Sequence, residues 1–221
     1  MIHSATVTLR ARTGFALLAV AAVALSACTG VGGPTSGATS SGGAAATPTD
    51  SAPQMSGDYV VGADGKLLKP TDGPVPIAPT PPASITEDTP EAAEDFARYF
   101  VAVAEYAWNS GDTTELRAIS TADCEMCTSI AEDIDDRTAK GGWSQGLTYD
   151  ITETEPAILH PDDDSVRVVV LHVTTKVEAT YTGSELRGPR NSDELVEIHS
   201  CPSGSGWQAC GGGGARDPDK A

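Results

Sequence analysis

The hydrophobic pattern of this chain changes its period once, near residue 142, and that change constrains the fold more than any other feature. Before it, apolar residues such as Phe96, Phe100 and Val103 recur every three or four positions, which is the spacing of an amphipathic helix. After it, Tyr149 and Ile151 alternate with polar residues, as in a half-buried strand. Helices followed by antiparallel strands predict an α+β fold, in which N-terminal helices pack on one face of an antiparallel sheet.

Signals at their ends mark three helices before residue 142. Thr89-Pro90 provides an N-cap residue followed by a proline at the first helical position, and Asn109-Ser110-Gly111 ends this first helix. Asp112–Glu115 has the residues of a capping arrangement and predicts a short second helix. A third helix is expected to begin between Thr121 and Asp123 and to end at Gly141-Gly142.

Strands fill the rest of the predicted domain, which spans residues 86–211 and is long enough for one core. The β-branched run Val166–Tyr181 predicts one bent strand or two. Leu195–Ile198 and Trp207–Cys210 predict a final hairpin. The glycine-rich and charged residues 212–221 are expected to form a disordered tail.

The N-terminus has the pattern of a bacterial lipoprotein signal peptide. Two arginines precede the apolar run Phe15–Leu25, which is too short to span a bilayer because a spanning helix needs about 20 apolar residues. Leu25-Ser26-Ala27-Cys28 resembles the lipobox, in which the cysteine thiol receives diacylglycerol before the signal peptidase cleaves. We therefore expect cleavage between Ala27 and Cys28, which removes residues 1–27. The alternatives are an ordinary secretory signal with a chance cysteine, or an uncleaved anchor.

Lipidated Cys28 would hold the mature chain on the extracytoplasmic face of the cell membrane, so the bilayer is the first expected partner. Two or more acyl chains attach a protein stably, whereas one chain holds it only marginally. The net charge of −17 argues against nucleic acid as a partner, because nucleic-acid binding requires lysine and arginine to displace counterions. No pattern in the chain indicates a cofactor.

Composition divides the segment between the lipobox and the domain into two parts. Residues 28–57 consist mostly of Gly, Ala, Ser, Thr and Pro, and they are expected to form a disordered tether because they bury too little apolar surface to fold. Residues 58–85 form a Pro-rich linker, in which Asp58–Gly62 and Lys66–Lys69 are a candidate hairpin that docks on the domain. We interpret both parts as a spacer between membrane and domain.

Besides Cys28 the chain has four cysteines, an even number that suits an oxidising compartment. The sequence alone allows three pairings. Residues three apart at a helix start lie close enough for a bridge, and a hairpin brings its two ends together. We therefore expect two structural disulfides, Cys124 with Cys127 and Cys201 with Cys210.

The alternative interpretation makes Cys124-Glu125-Met126-Cys127 the redox site of a thiol-disulfide protein, because a helix N-terminus favours a thiolate. A helix rather than a strand precedes this segment, and Asp123 and Glu125 oppose a thiolate. Zinc is not expected, since the second cysteine pair has the wrong spacing for a zinc knuckle.

Several of these features together resemble a family of uncharacterised actinobacterial lipoproteins. The resemblance rests on the lipobox, the Pro-rich tether, Phe96-x-x-Tyr99-Phe100, Gly111-Asp112-Thr113 with Leu116, and Cys124-x-x-Cys127. It implies a domain similar to the nuclear transport factor 2-like cone, in which a curved sheet wraps around helices and can enclose a pocket. It implies no catalytic residues.

A small-molecule enzyme in such a pocket would need converging polar groups. The candidates are Tyr149, Asp150, His172 and Tyr181. Period-2 alternation places Tyr149 and Asp150 on opposite faces of their strand, which weakens this hypothesis. Neither the scattered histidines nor Asp162–Asp164 has the spacing of metal ligands, so no metal is expected.

Arg187 and Arg190 form a basic loop in an otherwise acidic domain. They are candidate contacts for an anionic cell-wall polymer, an envelope protein or a small ligand. With no coherent catalytic constellation in the chain, the leading hypothesis is a non-enzymatic binding or accessory module displayed at the membrane surface.

Overall fold

The computed structural model describes residues 53–216. The signal peptide, the lipidation candidate Cys28 with the cleavage site after Ala27, and the tether as far as residue 52 lie outside the described residues, as do residues 217–221. Within residues 53–216, no helix combines the length and the apolar character that crossing a bilayer requires.

Three α-helices lie where the helical spacing predicts them. They are α1 (Pro90–Ser110), α2 (Thr114–Ala118) and α3 (Glu125–Ala139), with a short 3-10 helix at Ala83–Thr86 before them. The Thr89 hydroxyl caps α1 by accepting a hydrogen bond from the Ala92 amide at 3.1 Å. At the other end Gly111 adopts a left-handed conformation with φ of 81°, which glycine reaches without steric cost.

Ten strands make up most of the remaining regular structure of the described residues. They are β1 (Met55–Ser56), β2 (Tyr59–Val60), β3 (Trp143–Gln145), β4 (Thr148–Thr154), β5 (Ile158–His160), β6 (Asp163–Val177), β7 (Ala179–Tyr181), β8 (Leu186–Arg187), β9 (Arg190–Ser203) and β10 (Gly206–Arg216). The main sheet has the order β10-β9-β6-β4, and β5 also pairs with β6. The pair β1-β2 and the set β3-β7-β8 form two smaller sheets, and all pairings are antiparallel.

The predicted fold class was wrong. The described residues form ten strands in three antiparallel sheets and only three α-helices, so the fold is mostly β. It is not a cone of helices packed on one curved sheet, and the cone that the family resemblance implied is corrected together with the fold class.

Part of the error in fold class comes from β10. The backbone pairing of this strand does not show in the pattern of its side chains. The described part of the expected tail, residues 212–216, is the second half of β10, where Gly212 pairs with Ile198 and Gly214 pairs with Val196. A β-ladder needs only backbone N–H and C=O groups, so a run of glycines can complete a sheet without any hydrophobic alternation.

The main core lies between the helices and one face of the main sheet. Phe96 and Phe100 of α1 and Ile134 of α3 are almost completely buried, together with Leu171 of β6 and Ile198 of β9. Each fully buried side chain of this size contributes about 1.5–3 kcal/mol of transfer free energy. The helices are therefore held in place by this face of the sheet.

A second, smaller cluster holds the N-terminal part of the described chain on the domain. The Tyr59 ring lies 5.3 Å from the ring of Trp143, and Trp143 Nε1 donates a hydrogen bond to the Leu67 carbonyl at 3.0 Å. Lys66 Nζ adds a hydrogen bond to the Lys140 carbonyl at 2.6 Å. Residues 59–67 are thus part of the folded unit.

Candidate ligand cavity and arginine groove

The inner face of β9, which faces the helices, changes from charged to apolar along its length. Successive side chains of a strand point to opposite faces, so Arg190, Ser192, Glu194, Val196 and Ile198 share this face. Arg190 is exposed, Glu194 is half-buried and Ile198 is completely buried. The strand therefore runs from solvent into the core.

The neighbouring strands continue the same gradient. Val173 of β6 pairs with Glu194, and Thr175 pairs with Ser192. On the other side of β6, Tyr149 of β4 pairs with Thr175. Polar and apolar groups therefore meet at the middle of the inner face, around Tyr149, Thr175 and Glu194.

An apolar cavity of about 280 Å³ lies between this face and the helices, and we call it the ligand cavity. Its helical walls are Phe100 and Ala104 of α1 with Met126 and Ile130 of α3, and Val173 lines it from the sheet. An apolar cavity of about 150 Å³ is already large enough to bind benzene. The ligand cavity therefore has room for an aromatic group or a short hydrocarbon chain.

The glycines of β10 help to keep this space open. Gly213 and Gly214 line the ligand cavity. A Cβ atom at Gly214 would meet only the Leu195 carbonyl oxygen, at 3.8 Å, so the space beside this residue is unfilled. At Gly212, by contrast, a Cβ atom would lie 3.0 Å from Met126 Cε and 2.2 Å from the Glu197 carbonyl oxygen. The strand thus approaches α3 closely at one residue and leaves a gap at the next inward position.

Tyr149 lies at the polar end of the cavity. Its amide donates a hydrogen bond to Glu105 Oε2 at 2.7 Å, while its hydroxyl has no hydrogen-bond partner among residues 53–216. Burial, with the nearby carboxylates of Glu194 and Glu105, raises the pKa of Tyr149 to about 12. At neutral pH this side chain is therefore a protonated hydrogen-bond donor.

A polar groove of about 460 Å³ adjoins the cavity, because Tyr149, Thr175 and Glu194 line both. Three arginines line the groove as well, and we call it the arginine groove. They are Arg137 of α3, Arg187 of β8 and Arg190 of β9.

Arg137 is fixed within this groove by its neighbours. Its guanidinium carbon lies 4.3 Å from the ring centroid of Trp108, and Nη1 donates a hydrogen bond to Ser144 Oγ at 2.7 Å. Burial lowers the pKa of Arg137. Interactions with Tyr149 and Asp133 oppose this shift, and weaker repulsion from Arg187 and Arg190 adds to it. Burial therefore disfavours the charged form of Arg137, and its neighbours compensate for this only in part.

The arginine groove carries positive charge that its own carboxylates compensate only in part. Arg187 Nη2 pairs with Glu185 Oε2 at 2.9 Å, with both side chains exposed. Among the described residues, neither Arg137 nor Arg190 has a carboxylate oxygen within 4.0 Å. The one carboxylate that lines the groove, Glu194, accepts a hydrogen bond from Ser192 Oγ at 2.9 Å.

Comparison with known proteins assigns the chain to a family. The model of a family of unknown function, DUF6318, matches residues 69–196, which is more than half of the chain. The chain belongs to this family. Every residue named above as lining the arginine groove lies within the matched range of the DUF6318 domain, whereas Gly213 and Gly214 of the ligand cavity lie beyond it.

Two further comparisons add no functional information about the DUF6318 domain. The crystal structure of the intermembrane space region of the chloroplast protein ARC6 is similar over 59% of this chain and 99% of that chain, at 11% identity and a TM-score of 0.48. A similarity at this identity and TM-score supports no conclusion about the fold or function of the chain. No curated protein matches the chain.

The four cysteines within residues 53–216 form the two local disulfides expected from the sequence, and the second of them lies beyond the range that the family matches. Cys124 and Cys127 are bridged with a Cα–Cα distance of 5.3 Å, and Cys201 and Cys210 with one of 5.8 Å. Cys124 and Cys127 are 0% and 2% exposed. The first disulfide therefore lies inside the core and offers no accessible sulfur to a partner thiol.

The four residues of the enzyme hypothesis do not converge. Lys176 Nζ donates a hydrogen bond to Asp150 Oδ2 at 2.6 Å, on the exposed face opposite Tyr149. His172 Nε2 lies 3.3 Å from Glu155 Oε1, and Tyr181 packs in the second cluster against Trp143. Only Tyr149 reaches the cavity.

No metal centre forms in the part of the chain that the structure describes, since no group of three or more potential ligands comes together there. In the Asp162–Asp164 run, Asp163 Oδ1 accepts hydrogen bonds from the Ser165 amide at 2.9 Å and from its hydroxyl at 2.6 Å. The hydrogen bonds of this carboxylate are those of a surface turn.

Two of the three arginines of the groove, Arg187 and Arg190, were candidate contacts from the sequence. The structure adds Arg137 and Trp108, and it places Tyr149, a candidate for a different role, beside them. Arg137 and Arg187 lie on different elements, far apart in the sequence, so no spacing rule connects them. An unpaired arginine near the C-terminal end of a helix is too common a feature to mark a site by itself.

Proposed function

We propose that this protein is an exported, membrane-anchored lipoprotein whose DUF6318 domain is a non-enzymatic binding module for an apolar or amphiphilic small molecule. The lipobox ending in Cys28 supports the anchor and the extracytoplasmic location, with the bilayer as the partner of the lipidated residue. The same pattern supports kinship with actinobacterial lipoproteins.

The ligand cavity is the observation that carries the binding function. Phe100, Ala104, Met126 and Ile130 give it apolar walls, and Tyr149 places a polar group at one end. Small-molecule sites combine mostly apolar linings with a few polar groups that orient the ligand.

The two alternatives have less support. An acid–base enzyme needs a base and a donor directed at one substrate atom, and only Tyr149 of the four candidate residues reaches the cavity. A thiol-disulfide protein needs an accessible cysteine, whereas burial of Cys124 and Cys127 favours a structural bridge.

Fluorescence titration tests the binding function. The neutral probe N-phenyl-1-naphthylamine is titrated into the full chain carrying Cys28→Ala, so that no attached acyl chain binds the probe. In this background Ala104→Leu fills the cavity, and we expect it to remove most of the binding. Ala102→Leu is the matched control, because Ala102 is exposed on the same helix and does not line the cavity. Equal affinity of the two variants, or no binding to the parent chain, would refute the cavity as a binding site.

Metabolic labelling tests the anchor. The wild-type chain and Cys28→Ala are expressed in cells supplied with an alkyne-bearing fatty acid. We expect the wild-type chain to carry the label and to lose residues 1–27, and the variant to carry no label and to keep those residues, because cleavage follows lipidation. An unlabelled wild-type chain, or a labelled variant, would contradict lipidation at Cys28.

A further inference from the structure

The arginine groove has a charge that contrasts with the rest of the molecule. The chain has a net charge of −17, yet three arginines from three different elements line one groove. Like charges near each other cost free energy unless an opposite charge lies between them. Neither Arg137 nor Arg190 has a carboxylate within ion-pair distance among the described residues, so Glu185, Glu194 and Asp133 compensate this cost only in part.

We infer that the arginine groove binds the anionic group of an amphiphile whose apolar part occupies the ligand cavity. The inference rests on the proposed binding function and adds the chemical class of the ligand. A carboxylate, phosphate or sulfonate has this chemistry, because a guanidinium presents several donors in a planar fork to such oxygens.

The orientation of the ligand follows from the inner face of the sheet. The ligand cavity and the arginine groove share Tyr149, Thr175 and Glu194, so a molecule can occupy both at once. Apolar walls lie on the core side and arginines on the solvent side. The hydrocarbon or aromatic part therefore points toward Phe100 and Ile130, and the anionic group points toward Arg190.

The carboxylate of Glu194 limits where the anion sits. Glu194 lies four residues from Arg190 on β9, about 13 Å along the strand at 3.3 Å per residue. An anion is repelled at the Glu194 end and attracted at the end formed by Arg137, Arg187 and Arg190. The neutral Tyr149 hydroxyl, protonated at neutral pH, is an additional donor between the two ends.

Arg137 is the best ordered of the three charges. Stacking on Trp108 and the hydrogen bond to Ser144 leave its side chain little freedom before a ligand arrives. A guanidinium that is already immobilised loses less conformational entropy when it binds an anion. Arg187 and Arg190 are exposed and supply the charge that faces solvent.

A matched pair of fluorescent probes tests the inference. N-phenyl-1-naphthylamine is neutral, and 8-anilino-1-naphthalenesulfonate has the same aromatic body with one sulfonate added. Both are titrated into the full chain carrying Cys28→Ala, and into the same chain with Arg187→Gln, Arg190→Gln or both. These arginines are exposed, so their removal leaves the core intact.

We expect each single substitution to raise the Kd of the sulfonate probe about threefold to fivefold, the effect of losing one partly exposed ion pair. The double variant should lose more, and the Kd of the neutral probe should stay within about twofold of the parent value in every variant. Arg117→Gln is the control, because it removes one positive charge from an exposed pair with Asp135 outside the groove.

The outcomes separate the inference from the function on which it rests. Absence of neutral-probe binding to the parent chain would refute the proposed function. Normal neutral-probe binding, with a sulfonate-probe affinity that the groove variants do not change or that Arg117→Gln changes equally, would refute the inference alone.

Competition then identifies the source of the anionic group. Displacement of the sulfonate probe by dihexanoyl phosphatidylglycerol, but not by inorganic phosphate at equal concentration, would assign an anionic lipid. Displacement by inorganic phosphate as well would assign a free phosphate. Either displacement supports an anion site, and displacement by neither would overturn it.

Discussion

Ala104 is 5% exposed and lies where α1 borders the ligand cavity, so a larger side chain at this position enters space that is already open. Replacing it with leucine adds three carbon atoms. At about 0.8 kcal/mol for each buried methylene, the transfer gain is about 2.4 kcal/mol. Ordering the leucine side chain costs about 0.5–1 kcal/mol. We therefore expect the free energy of unfolding of Ala104→Leu to rise by about 1.5 kcal/mol.

Urea denaturation followed by circular dichroism measures this change, with the disulfides intact in both chains. In a thermal scan the same gain would raise Tm by about 3–6 °C for a domain of this size. Stability and probe binding should therefore change in opposite directions in this one variant, since the leucine occupies the volume that a ligand needs.

Ala97→Leu is the matched control for Ala104→Leu. Ala97 lies seven positions earlier on the same face of α1, is 0% exposed and does not border the cavity. Extra methylenes in a filled core cost about 1–3 kcal/mol, so this variant should lose stability. Loss of stability in Ala104→Leu as large as in Ala97→Leu would mean that the cavity is not open space, and the reasoning would be refuted.

Three other predictions concern parts of the fold outside the cavity wall. Replacing both Cys201 and Cys210 with alanine should lower the free energy of unfolding by about 2.7 kcal/mol in the chain-entropy model, measured by urea denaturation. Thr89→Ala should cost about 1 kcal/mol, because the Ala92 amide loses its cap, and thermal denaturation followed by circular dichroism measures it. The pKa of Tyr149 is raised to about 12 from its ordinary value of 10.0, so the stability that its neutral form contributes is present below pH 10.0 and is lost as the pH rises through about 12. In Tyr149→Phe, the tyrosinate absorbance should therefore lack the contribution that appears near pH 12. The loss of stability above pH 10.0 should also be smaller than in the parent chain.

Each of these predictions has an outcome that contradicts it. Unchanged stability without the Cys201–Cys210 bridge would show that the hairpin closes the same loop by itself. A Thr89→Ser chain should keep the cap, so equal losses in the serine and alanine variants would remove the cap explanation. An equal loss of stability above pH 10.0 with and without Tyr149 would mean that folding does not raise the pKa of this side chain.

Local signals in the sequence predicted the helices well. Thr89 caps α1 through the hydrogen bond that its hydroxyl accepts, and Gly111 ends α1 because glycine lacks a Cβ and adopts the left-handed conformation. Both effects depend on only a few neighbouring residues. The local disulfides were predictable for the same reason, because three residues of helix or one hairpin determine the distance between the sulfur atoms. These features need no knowledge of the tertiary fold.

The fold class and the site depend on long-range pairing, which single-sequence patterns do not contain. The glycines of β10 have no hydrophobic alternation, yet their backbone pairs with β9 as far as Arg216. Arg137 and Arg190 line the same groove only because α3 packs beside the inner face of the sheet. The sequence therefore identified Arg187 and Arg190 as a basic loop without identifying the groove that they line.

The docked N-terminal segment has a mechanical consequence. If Cys28 holds the chain at the membrane, as proposed, any tension on the tether enters the described domain at residue 53 and loads first the β1-β2 hairpin and the contact between Tyr59 and Trp143. Each of these strands has two residues, so few hydrogen bonds resist the pull. The strands of the main sheet lie farther along the chain and are therefore loaded later. A pull on the anchor would thus release residues 53–67 and uncover Trp143 before it loads the ligand cavity, because no residue of this segment lines the cavity.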